Sequence, residues 1–69
     1  MTIKSYTKRE LALMYFPNVD GHTAVNRLTR WISRCKPLRE ELTRHNYGGR
    51  GHSLTPKHVS IIVEYLGEP

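Results

Sequence analysis

Two different stripes run along residues 20–35, DGHTAVNRLTRWISRC. Ala24, Leu28, Trp31, Ile32 and Cys35 recur at i, i+4, i+7, i+8 and i+11, the spacing that gathers apolar side chains on one face of a helix. Thr23, Arg27, Arg30 and Arg34 fall at i, i+4, i+7 and i+11 and form a second row beside it, uninterrupted by an acid. The pattern predicts one amphipathic helix with a core side, Trp31 and Cys35 included, and a basic, hydrogen-bonding side. A basic row is often no more than a solvated face; the elements around it decide how it is read.

Before it, Thr7-Lys8-Arg9-Glu10 has the form of a capping box, with Tyr6 and Leu11 placed as a hydrophobic staple. A first helix is expected from about Lys8 to Tyr15, ended by Phe16-Pro17 because the residue before a proline leaves the helical region. The run from Leu11 to Phe16 is wholly apolar, so this helix should be buried on most of its circumference. Asn18, Asp20 and Gly21 form a turn, with Asp20 the expected cap of the second helix. A third helix should open at Pro37 and run to near Tyr47, with Leu38 and Leu42 as its apolar stripe and Glu40 and Glu41 in its first turns. Gly48 to Ser53, GGRGHS, suits a short wing or hairpin tip as well as a plain surface loop. Leu54-Thr55-Pro56 then starts a last helix. Val59, Ile62, Val63 and Leu66 keep helical spacing, although Val59, Ile61, Val63 and Tyr65 also alternate as a strand would. The Thr-Pro start and the Gly67 stop decide for helix. Ile61 and Tyr65 form a second apolar edge, either extra core or a surface for a protein partner.

The expected fold is therefore all-α: one domain over 1–69, four short helices in a helix-turn-helix-like order, with a minimal β wing admitted at 48–54. A chain of 69 residues buries only about 60% of its unfolded surface, so such a domain is marginally stable. A net charge of +5 and a pI near 9.8 favour phosphate-bearing or acidic partners. One cysteine excludes an internal disulfide. The start MTIKSYTKRE has no apolar signal core, and no run is long enough to span a bilayer, which together point to a cytoplasmic protein without a membrane role.

Catalytic chemistry finds little support. His22, His45, His52 and His58 do not share a helix at i, i+4, and none pairs with Cys35 at a zinc-ligand spacing, so neither metal nor other cofactor is expected. Cys35 reads as a structural thiol on the apolar stripe. Asp20 is the only aspartate, and the adjacent Glu40 and Glu41 do not share a helix face, which argues against paired-carboxylate catalysis. Double-stranded DNA has the better case. A capped apolar helix, a turn and a helix with a cationic outer row make a helix-turn-helix plan. Thr23, Asn26, Arg27 and Arg30 would lie nearest the bases, and Lys8, Arg9, Arg34 and Arg50 would meet phosphates. The turn from Phe16 to Gly21 is longer than usual for that motif, so backbone contact is better supported than groove insertion. The alternative is a protein-interaction module whose basic face meets an acidic protein, with Ile61 and Tyr65 at its edge.

SYTK at 5–8, ELA at 10–12, YFP at 15–17, RLTRWI at 27–32 with Arg34-Cys35, LTP at 54–56 and EYLGEP at 64–69 resemble a family of short bacterial proteins. That family, typical of gut anaerobes, is known only as a domain of unknown function. The resemblance spans essentially the whole chain, implies a free-standing small protein and brings no activity or site residues. More loosely, the ELA helix, the basic helix after it, an arginine-bearing loop and a Thr-Pro helix are similar to the winged-helix headpieces of excisionase and MerR-type regulators. The residues that carry this second likeness are scaffold, so it implies no metal or drug site.

Overall fold

The computed structural model describes residues 2–47 and 53–69 of the chain. Its elements run β1 (Tyr6–Thr7), α1 (Lys8–Tyr15), α2 (Gly21–Arg34), α3 (Lys36–Arg44), β2 (Ser53–Leu54) and α4 (Pro56–Leu66). The architecture is mostly helical, with four helices and a small antiparallel pair of strands in which Tyr6 faces Leu54 and Thr7 faces Ser53. One apolar core draws on every helix: Leu11 and Ala12 from α1, Ala24, Leu28 and Ile32 from α2, Leu38 and Leu42 from α3, and Val59, Ile61 and Ile62 from α4, with Leu54 of β2.

The helix starts follow from their caps. The Glu10 amide donates to the Thr7 hydroxyl at 3.0 Å, and the Thr7 amide donates to the Glu10 carboxylate at 2.8 Å. The Asp20 carboxylate accepts from the Thr23 amide at 2.7 Å. At α4 the box closes with a histidine: the His58 amide donates to Thr55 Oγ1 at 3.2 Å, and the Thr55 amide donates to His58 Nδ1 at 3.3 Å. The other ring nitrogen, Nε2, donates to the His45 carbonyl at 2.6 Å, which assigns the ring hydrogen to Nε2. Buried His58 thereby ties the end of α3 to the start of α4, with the Tyr47 ring edge-on at 5.7 Å.

Two departures from the sequence reading have local causes. α3 includes Lys36 and stops at Arg44, short of Tyr47. Asn46 takes the left-handed conformation at φ 65°, and the amides of Asn46 and Tyr47 bond back to the carbonyls of Thr43 and Leu42. That is the Schellman arrangement with asparagine where glycine is commoner. Trp31, expected in the core, is 40% exposed. It stands at the edge of the α2 stripe, where Tyr15 at the end of α1 and Phe16 just after it meet the ring and leave the rest of it open. Cys35 is half-buried and forms the single-residue joint between α2 and α3.

The two carboxylate caps make the fold acid-sensitive. Hydrogen bonds from the Thr7 backbone, and then its side chain, hold Glu10 below its ordinary carboxylate value. Bonding from Thr23 does the same for Asp20. A carboxyl group whose value is lowered by folding stabilises the fold above its unfolded value, and that contribution is lost as pH falls through the lowered one. The melting temperature is accordingly expected to drop on acidification below about pH 4. In Glu10→Gln with Asp20→Asn, whose amide oxygens can still accept hydrogen bonds, the drop should be shallower. Equal acid limbs for the two proteins would detach the caps from the effect.

Candidate nucleic-acid interface

The charge of this protein is concentrated in one place. Residues 21–39 contain Arg27, Arg30, Arg34, Lys36 and Arg39 and no Asp or Glu. The other cations, Lys4, Lys8, Arg9, Arg44, Arg50 and Lys57, equal in number the six acids of the chain. The whole excess of +5 therefore belongs to α2 and the beginning of α3.

On α2, the buried stripe of Gly21, Ala24, Leu28 and Ile32 turns the opposite side outward. Asn26, Arg27, Arg30 and Arg34 are exposed, and Thr23 is half-buried beside the Asp20 cap. Arg30 lies across the helix from the stripe. Neither Arg30 nor Arg34 has an ion pair or hydrogen bond among the described residues. Asn26 Nδ2 lies 3.3 Å from His22 Nε2 and donates to it, so the amide oxygen of Asn26 is turned away from that bond. Arg27 leans to one side, its guanidinium 5.8 Å from the Phe16 ring centre. Phe16 in turn packs steeply against Trp31, at 4.7 Å between centres and 68° between planes. Tyr15 meets the same indole at 6.2 Å and 71°, and its hydroxyl donates to the Gly67 carbonyl at 2.6 Å. Burial, and then the charge of Glu68, raise the Tyr15 phenol above its ordinary value.

Arg9 reaches from α1 across the start of α2. Its guanidinium occupies the space that a Cβ at Gly21 would need, a place this exposed side chain is free to vacate. The same charge contributes, behind the hydrogen bonds from Thr23 and the charge of His22, to the lowered value of Asp20. Lys8 is placed differently from an outward phosphate contact. It is only 8% exposed, its ammonium 5.7 Å from the Tyr47 ring centre. It helps to line a cleft of about 240 Å³ with Thr29, Ile32, Ser33, Arg39, Thr43 and Tyr47. This lining holds two cations and several hydroxyl groups and no carboxylate.

The structure thus brings Asn26, Arg27, Arg30 and Arg34 onto one helix face, with Thr23 and Arg9 at its N-terminal end and Lys8 in a cleft at its flank. Arg50, expected as a loop cation, and the tip at 48–52 lie outside the described residues. Arg39 was missed from the sequence because it belongs to α3; its signal was the acid-free run from 21 to 39. The apolar edge of α4 divides, with Ile61 at 3% exposure in the core and Tyr65 at 42%. Among the described residues, no group of three or more His, Cys, Asp or Glu is arranged to hold a metal ion, and no helix is long and apolar enough to cross a membrane.

The chain belongs to the family described as Domain of unknown function (DUF4248), whose family model matches residues 2–69. No curated protein and no solved structure matches it.

Proposed function

We propose that this member of the family is a non-catalytic DNA-binding protein, a small regulator or architectural accessory that docks the outward face of α2 on double-stranded DNA. The observation that carries the reading is the concentration of the full +5 charge in residues 21–39, where Arg27, Arg30 and Arg34 of α2 are exposed and Lys36 and Arg39 follow on α3. Such a surface releases condensed counterions from a polyanion, the main source of affinity for duplex DNA. α1 braces α2 from behind in the manner of a helix-turn-helix. Thr23, Asn26 and Arg30 would then be nearest the base edges. Arg27, Arg34 and Arg9 would hold the backbone on either side, and the cleft of Lys8 and Arg39 would receive a further phosphate. An acidic protein partner would use the same charge, but with Ile61 buried its apolar edge shrinks to Tyr65.

A salt titration against random-sequence duplex DNA tests the reading. Three to five neutralised phosphates predict a log–log slope of roughly −3 to −4.5, at about −0.9 per phosphate. Salt-independent affinity, or no binding at low salt, would overturn it.

A further inference from the structure

Trp31 is the only tryptophan of the chain, and a large, half-open aromatic side chain on a basic helix calls for an explanation. Packing accounts for one side of it. Phe16 and Tyr15 hold the indole steeply, at 68° and 71°, so its plane is fixed. No ring among the described residues stacks parallel on it. Arg27 precedes it by four positions and Arg34 follows by three, so both cations are its neighbours along the helix surface. Arg27 is itself steadied over Phe16. A fixed aromatic plane between two arginines is the arrangement with which proteins hold an unstacked base: the ring takes the base and the cations take the phosphates on either side.

We propose that Trp31 stacks on an unpaired base, so that the preferred ligand of this face is duplex DNA interrupted by an unpaired nucleotide. The inference rests on the DNA-binding reading above and narrows its ligand. A protein partner would also cover an exposed indole, but the flanking arginines favour a polyanion bearing flat rings.

The test compares three short duplexes of one sequence: fully paired, with a single extra thymidine, and with an abasic nucleotide in place of that thymidine. The last two carry the same phosphates and differ only in the base. Binding is followed by anisotropy of labelled DNA, and the indole by intrinsic fluorescence excited at the red edge, where Trp31 absorbs and the four tyrosines do not. The thymidine bulge is expected to bind about 5- to 150-fold more tightly than the abasic duplex, the range expected of one stacked base. It alone should quench the fluorescence. Trp31→Ala should erase the preference while the protein still binds all three. Trp31→Phe, which keeps an aromatic ring against Phe16, should retain part of it and guards against a packing defect. Equal affinity for the bulged and abasic duplexes, with unchanged fluorescence, would overturn the stacking role and leave the charge-based reading intact. Failure of all three to bind at low salt would overturn both.

Discussion

Reversing the charge at Arg27 and Arg30 together is expected to abolish binding to duplex DNA while leaving the helices in place. Both side chains are exposed, and neither belongs to the stripe of Ala24, Leu28 and Ile32 that α2 buries. Each reversal removes one cation and adds a repulsion, so four units of charge change on one helix face. Under the proposed reading affinity comes mainly from counterion release, so the loss should exceed what either neutral substitution would cause. The structural cost is small. Arg27 forfeits its contact with the Phe16 ring, worth about 0.5–1 kcal/mol at an exposed site. Arg30 has no ion pair or hydrogen bond among the described residues to lose. Helical circular dichroism should therefore match the unmodified protein. Replacing both by lysine separates charge from geometry. Lysine keeps the phosphate attraction but not the planar fork that pairs with guanine, so salt dependence should survive and sequence preference should weaken. Undiminished binding by the doubly reversed protein would remove α2 from the interface.

The parts of this fold that the sequence announces are those set by neighbours within a few residues. Thr7, Asp20 and Thr55 cap the helices they precede because a side-chain oxygen needs only the amide three positions on. Asn46 carried such a signal as well, and its left-handed turn ends α3 where apolar spacing alone suggested continuation. What the sequence does not announce is tertiary. Strands of two residues have no alternation to detect, and the pairing of Tyr6 with Leu54 joins opposite ends of the chain. Helical spacing put Trp31 beside the core stripe, but how much of the ring Tyr15 and Phe16 cover is set by tertiary packing. Lys8 reads as an outward cation until Tyr47 comes to lie against it. The basic row of α2 was legible as a row; the place of Arg39 in a cleft beside it depends on how α3 folds back.

Leu28→Ala is expected to strip the protein of a large share of its stability, a result opposite in kind to the charge reversal. Leu28 is fully buried at the middle of the α2 stripe, one turn from Ala24 and one from Ile32, in the core that Leu11, Leu38, Leu42 and Ile62 share. Truncating such a leucine costs about 2–5 kcal/mol, the lost transfer energy together with the cavity left behind. At about 0.05–0.15 kcal/mol per residue, a domain of this length has roughly 3.5–10 kcal/mol in all. The truncation therefore removes a large share of the total, and the whole of it at the lower end. Urea unfolding followed by circular dichroism should show a midpoint far below that of the unmodified protein, or no folded baseline. DNA binding should be lost in step with helicity, whereas in the Arg27 and Arg30 variant it is lost with helicity retained. Leu28→Met nearly conserves volume and should cost less than about 1.5 kcal/mol, which distinguishes an empty space in the core from the mere change of residue. A Leu28→Ala protein with the midpoint of the unmodified one would mean that α2 does not hold the core by this stripe. The assignment of its opposite face to the outside would fall with it.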